Sequence, residues 1–231
     1  MRLSRPVPAL LLAAAAAASK VPLEIHIMSQ CPDARDCYEQ LLYPALPSIS
    51  SLVDFKISFI GTVTSAGVEC MHGPHECLGN TLHLCSFQQS SPPAPNLEFT
   101  RCLLVDYKEV ANETYVRECA SDAGVDFDEL NKCASDIGEG GGLELLQESV
   151  ERSKKAGIKY SCTVRVEEKV WCVRDSGEWK QCGDHGGSVE ALVEEVKRVH
   201  EDRGRERGEL RKRDVVGGLK QKARDIKIDW M

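Results

Sequence analysis

After its first twenty residues this sequence of 231 residues has no apolar run long enough to cross a bilayer, which as a helix takes about 20 residues. It also lacks a basic excess. With 29 Lys and Arg against 36 Asp and Glu, the net charge of −7 argues against a general nucleic-acid binder. The glycine run Gly138-Glu139-Gly140-Gly141-Gly142 has no strand feeding it and no Lys-Ser/Thr behind it, so it reads as a flexible boundary and not as a phosphate loop. A fourth absence concerns chemistry directly. In Cys31-Pro32-Asp33-Ala34 the fourth position is alanine, so the second thiol of a Cys-x-x-Cys site is missing. What the chain has in quantity is cysteine. Eleven of them imply an oxidising compartment or metal sites, and the odd number leaves at least one unpaired within the chain.

The N-terminus favours the oxidising compartment. Arg2 and Arg5 form a positive n-region, Leu10 to Ala18 a short apolar core, and Ala16, Ala18 and Ser19 suit a signal peptidase, so residues 1–19 are expected to be a cleaved signal peptide. Asn112-Glu113-Thr114 is an N-glycosylation sequon, which fits passage through the secretory pathway.

The mature chain opens on a strand, Val21–Met28, in which Leu23, Ile25 and Ile27 alternate with Glu24, His26 and Met28. A helix is predicted from about Asp33 to Leu46, kinked at Pro44 and ended at Pro47. Val53 to Val63 alternates again and reads as a second strand, which completes a βαβ unit. Residues 65–141 then change character. They hold Cys70, Cys77, Cys85, Cys102, Cys119 and Cys133 with little strand pattern, and read as an insertion held by disulfides. Within it Ser90 to Asn96 is an extended loop, Cys102 to Cys119 looks helical, and Asp126 to Cys133 adds a short helix. A helix from Leu143 to Ala156 closes at Gly157; short strands follow at Thr163–Val166 and Lys169–Val173. Cys172 and Cys182 flank the turn Asp175-Ser176-Gly177-Glu178 and are candidate partners. Ser188 caps a last helix to about His200, with Val189, Leu192, Val193, Val196 and Val199 on one face. Residues 201–231 form a charged tail, by default a solvated helix or disordered, with Lys212-Arg213 as a dibasic pair for secretory proteases.

The order β-α-β, insertion, α-β-β-α defines an α/β chain with the element order of a thioredoxin fold, formed by residues 20–64 and 142–200. Cys31 falls at the end of the first strand, where that fold keeps its nucleophile. Pro32 fits the first helical turn, so Cys31 sits at a helix start, where unpaired N–H groups favour a thiolate, the form that attacks a disulfide. Cys37 is a poor substitute for the missing thiol: six helical residues rise ~9 Å and rotate away from Cys31. The alternative is that Cys31 is half of a structural disulfide.

A second set of residues carries a resemblance. Cys70-Met71-His72-Gly73, then Glu76-Cys77, Asn80 and Cys85, resembles the signature of the gamma-interferon-inducible lysosomal thiol reductase family, with Met71 in place of glutamine. The resemblance spans about Val21 to His200. It implies a thioredoxin-like enzyme, secreted or in a lysosome- or vacuole-like compartment, that reduces protein disulfides best at acidic pH and needs no cofactor. It also implies that Cys70, His72, Gly73, Glu76, Cys77, Asn80 and Cys85 shape the insertion beside the active site, their pairing left open. Cys70, His72, His75, Cys77 and His83 would otherwise permit a zinc site; His72 and His75 could also titrate in an acidified setting. Ala34 departs from the family, and Ser161-Cys162-Thr163 puts Cys162 where the resemblance predicts a cis-proline against the first thiol.

The expected function is therefore thiol–disulfide exchange through Cys31 as a monothiol. Cys162 is the candidate resolving thiol, or a partner that locks Cys31. Partners are disulfide-containing proteins and a small-molecule thiol; no metal is called for. The alternatives are a redox-inactive thioredoxin-like binding or chaperone module, and a secreted cysteine-rich interaction protein.

Overall fold

A central strand organises the molecule. In β1 (Val21–Ile27) the side chains of Val21, Leu23, Ile25 and Ile27 are all fully buried. On one side β1 pairs in parallel with β2 (Val53–Phe59), and on the other it runs antiparallel to β5 (Thr163–Val166). Strands β6 (Lys169–Asp175) and β7 (Glu178–Lys180) extend the sheet by antiparallel pairing to the order β2-β1-β5-β6-β7. The parallel pair needs a crossover. It is supplied by α1 (Pro32–Cys37), a π-helical turn at Tyr38–Leu42 and α2 (Tyr43–Ile49), whose Tyr38, Leu41, Leu42 and Ile49 pack in the core. On the other face of β1, His26 shares a 2.8 Å hydrogen bond with Ser153 of α7 (Gly142–Lys155).

The structure is a computed structural model and describes residues 19–89 and 94–226. Residues 1–18 of the signal peptide expected at 1–19 and residues 90–93 of the loop expected at 90–96 lie outside the described residues, and residues 94–96 of that loop are helical. The chain divides into one unit at Lys20–Val199 and another made of its terminal segments, Met1–Ser19 and His200–Met231. In the terminal unit Arg203 Nε donates to Ser19 Oγ at 2.9 Å. Among the described residues no helix is long and apolar enough to cross a membrane.

Several expected boundaries move, for local physical reasons. The first helix does not stop at Pro47 but reaches Ile49; the wide π turn absorbs the donor that Pro44 lacks, and burial of Leu46 and Ile49 holds the last turn. The second strand ends at Phe59. Thr62–Thr64 (β3) instead folds back on Gly67–Glu69 (β4) as a separate hairpin. The insertion is helical: α3 (Pro74–Gln89), α4 (Ala94–Val105), α5 (Glu113–Ala123) and α6 (Phe127–Ser135). The single helix expected over 102–119 is two helices, because Asn112 accepts the Thr114 N–H as the N-cap of α5. Leu82, Phe99, Leu103, Val110, Val116 and Leu130 give the insertion its own small core. The last helix starts after Ser188, whose Oγ accepts the Ala191 N–H, but α8 (Val189–Ile226) runs well past His200. Pairs such as Glu201–Arg205 at i,i+4 spacing support the extension.

Candidate active site

Cys31 is the N-cap residue of α1, with extended backbone (φ −95°, ψ 128°) and Pro32 at the first helical position. Its carbonyl oxygen accepts from the Ala34 and Arg35 N–H groups. Its thiol, half-buried, lies 3.7 Å from the carbonyl oxygen of Ser161. Ser161 also holds the end of β1, accepting the Met28 N–H on its hydroxyl at 2.9 Å. The next peptide bond, Ser161–Cys162, is cis. The loop that carries Cys162 therefore does lie against Cys31.

Cys162 itself is bonded elsewhere. Its sulfur joins Cys37, with Cα atoms 6.2 Å apart, so it is not a free thiol beside Cys31, and Cys31 is neither locked by it nor bonded to any other cysteine among the described residues. The physical reason is helical spacing: Cys37 follows the buried Ala34 by three residues and so faces the same core as Cys162. In the sequence, helical rise separates Cys37 from Cys31, and no local pattern pairs it with Cys162. Parity carried a signal, since the six cysteines of the insertion and the Cys172/Cys182 pair leave Cys31, Cys37 and Cys162.

Asp33, whose charge suits the positive end of α1, and Arg174, which carries no sequence signal, bind α1 to the sheet. Asp33 accepts the backbone N–H groups of Ser176 and Gly177, each at 2.9 Å, in the β6–β7 turn. Arg174 exchanges both backbone hydrogen bonds with Cys162, while its guanidinium reaches Asp36 at 3.2 Å and Asp33 at 3.7 Å. One β6 residue thus fixes the loop through its main chain and the helix through its side chain.

The signature residues meet this site from the insertion. Asn80 accepts the backbone N–H of Ser29, two residues before Cys31, at 3.0 Å, and its amide nitrogen lies 3.6 Å from Cys70 Sγ. The Ser29 hydroxyl donates to the Glu76 carbonyl oxygen. The contact leaves no room at Gly79, where a Cβ would stand 2.6 Å from Ser29 Oγ. The buried Glu76 carboxylate bonds the ring of His72 and the His72 N–H, bracing the turn in which Gly73 has φ +92°. Cys70 is bonded to Cys77, Cys85 to Cys133, Cys102 to Cys119 and Cys172 to Cys182. The zinc set fails on this ground, because Cys70 and Cys77 spend their sulfurs on each other.

Two titratable side chains are displaced. His83 is fully buried, stacked on Phe59 and edge-on to Phe99, and burial pushes its imidazole down to about 3. Burial would raise Glu24, but hydrogen bonds from His26 and Ser58 and the nearby Arg165 outweigh it and bring the carboxyl down to about 2. A cleft of about 470 Å³ lined by Glu24, Lys56, Arg152, Lys155 and Arg165 does not include Cys31. It shares no residue with the thiol site.

Fold and site together define a thioredoxin-like protein carrying one half-exposed thiol at the end of the first strand. Among solved structures, BdbD from Bacillus subtilis in its oxidised form covers 78% of this chain and 88% of its own at 13% identity and a TM-score of 0.53. Pseudomonas aeruginosa DsbA covers 90% and 92% at 13% identity and a TM-score of 0.51. Residues 22–123 match the family profile described as gamma interferon inducible lysosomal thiol reductase (GILT). GILT-like protein 1 of Drosophila melanogaster is 28% identical over 163 residues, 63% of this chain and 65% of that protein. The gamma-interferon-inducible lysosomal thiol reductase-like protein of Anopheles gambiae is 27% identical over 168 residues, 65% of this chain and 68% of its own. The likeness to the GILT family thus lies over residues 22–123, which carry Cys31 and the Cys70–Cys85 signature.

Proposed function

We propose that this protein is a thiol–disulfide oxidoreductase that reduces disulfides of other proteins, with Cys31 as its attacking thiol. The observation that carries the reading is the thiol's placement. Among the described residues Cys31 is the one cysteine left out of a disulfide, and it stands half-exposed where β1 meets α1. Its sulfur attacks one sulfur of a substrate disulfide, forming a mixed disulfide and releasing the other half as thiolate. Ala34 cannot resolve that intermediate. A second thiol must do so: Cys162 when reduced, the substrate's own released thiol, or a small-molecule thiol.

Five disulfides favour an oxidising compartment, and we place the protein in the secretory pathway, secreted or in a lysosome-like organelle. Asn112, exposed at the start of α5, is the proposed glycosylation site, and Lys212-Arg213 the proposed processing site. The competing reading, a redox-inactive binding or chaperone module, draws on the closed Cys37–Cys162 bond and on Ala34. Insulin reduction with a small thiol, at acidic and neutral pH, decides between them. Wild type is expected to exceed Cys31→Ser at either pH; equal rates would remove the enzyme reading.

A further inference from the structure

Three cysteines pack in or against one core cluster. Cys31 is reachable from solvent; Cys37 and Cys162 are fully buried and bonded to each other. The peptide group whose oxygen lies 3.7 Å from Cys31 Sγ is the one that leads into Cys162. All three side chains pack in the same core cluster, with Ala34 beside them. A buried disulfide is closed to external thiols, because exchange needs in-line approach of a thiolate to a sulfur. The free thiol packed against the cluster that holds that bond is Cys31.

We propose that Cys37 and Cys162 form an internal dithiol store that exchanges electrons with the outside only through Cys31, a three-thiol relay in place of the missing fourth-position cysteine. This rests on the reading of Cys31 as the attacking thiol. In the reducing direction Cys31 attacks the substrate disulfide and becomes a mixed disulfide, and one substrate thiolate leaves. Reduced Cys162 then attacks Cys31 Sγ, expelling the second substrate thiolate and forming Cys31–Cys162. Cys37 attacks Cys162 Sγ, which restores the Cys31 thiolate and closes Cys37–Cys162. In sum, one substrate disulfide gains two electrons and two protons, and the Cys37/Cys162 pair loses them. The structure corresponds to the oxidised end of this cycle. Reloading runs backwards: Cys31 opens Cys37–Cys162 at Cys162, one small thiol takes Cys31 out of the Cys31–Cys162 bond as a mixed disulfide, and a second small thiol releases Cys31 as its own disulfide.

The relay makes opening of a buried bond depend on an exposed residue that is not part of it. The test treats native protein with 2-mercaptoethanol, alkylates at intervals and maps the labelled cysteines by mass spectrometry. Cys37 and Cys162 are expected to become labelled together in wild type and at least tenfold more slowly in Cys31→Ser, while the opening of Cys85–Cys133 is unchanged. Equal rates in the two proteins would overturn the relay, since the pair would then open by unfolding or direct attack. As a second arm, Cys37→Ala treated with 2-hydroxyethyl disulfide is expected to take up the reagent on Cys31 as a mixed disulfide and resolve it with Cys162, releasing 2-mercaptoethanol, so a Cys31–Cys162 peptide dominates the non-reduced digest; its absence from folded protein also overturns the relay. If Cys37→Ala does not fold, the wild-type comparison decides alone. Insulin reduction that depends on Cys31 alongside equal opening rates would keep the enzyme and discard the relay. Cys31-dependent opening without insulin reduction would keep the relay and discard the protein substrate.

Discussion

The sheet-bearing body and the insertion both contain disulfides, and they use them differently. The body packs Leu23, Ile25, Ile27, Leu41, Phe59 and their neighbours into a broad core fed by β1, β2, β5 and β6, enough apolar burial to hold itself together. The insertion's core is small, and two of its buried members, Cys85 and Cys119, are themselves half-cystines. A segment with so little to bury needs cross-links to offset chain entropy. The insertion's bonds are accordingly structural. The body's Cys37–Cys162 bond belongs to the core cluster on which the one free thiol packs, where its position makes it a candidate for chemistry.

The largest expected effect separates the two regions by activity. Cys31→Ser is expected to lower disulfide reduction to the background of the small thiol alone while leaving the unfolding free energy from urea titration within about 0.5 kcal/mol of wild type, as for a substitution at a half-exposed site. An unfolding free energy that falls with the activity would mean that Cys31 is part of the framework. Next comes the double change Cys85→Ala/Cys133→Ala. The 48-residue separation of these cysteines corresponds to about 4 kcal/mol of chain entropy, most of it expected as lost protection of α3 and α6 in hydrogen exchange. If β1 and β5 lose protection equally, the body and insertion are one cooperative unit and the contrast breaks.

The body was the legible part. Strict alternation in Leu23, Ile25 and Ile27 exposes a strand because burial on one face of a sheet repeats every second residue, and Cys31 follows that strand directly. The Ser188 cap was readable for the same reason: its cue and its consequence are three residues apart. Long-range choices were not readable. That Cys162 bonds Cys37 across 125 residues, or that Asn80 holds the Ser29 N–H across 51, depends on how elements meet. Local pattern carries no term for that. The break between α4 and α5 was missed because Leu103, Leu104, Val110 and Val116 keep a near-helical spacing through it, although Asn112 offered a cap.

Acid sharpens the comparison next. In the insertion, burial lowers His83 from 6.5 in the unfolded chain to about 3, so its stabilising contribution is complete above pH 6.5 and is lost as pH falls from 6.5 toward 3. At pH 5 the loss is about 2 kcal/mol. In the body, Glu24 is lowered from 4.5 to about 2, so its contribution holds above pH 4.5 and is lost only below it. The insertion is thus expected to weaken first on acidification. Urea unfolding of wild type and His83→Gln at pH 7 and pH 5 checks this: the pH-dependent difference should shrink by about 2 kcal/mol in the variant, and an unchanged difference would rule out His83 as its source.

The smallest effect tests whether caps matter more where the core is thin. Asp126 accepts the N–H groups of Asp128 and Glu129 at the start of α6, and Ser188 accepts that of Ala191 at the start of α8. Either change to alanine removes a cap worth about 1 kcal/mol. In α8 the first turns are held by Leu192 and Val196 in the main core, whereas α6 buries little beyond Leu130. Asp126→Ala is therefore expected to speed hydrogen exchange across α5 and α6 about fivefold without altering the rate at which Cys31 is alkylated. Ser188→Ala should confine its effect to the first turn of α8. Should Asp126→Ala change Cys31 reactivity, the insertion would be acting on the thiol through Asn80 and Ser29, and its framework role would extend into the site.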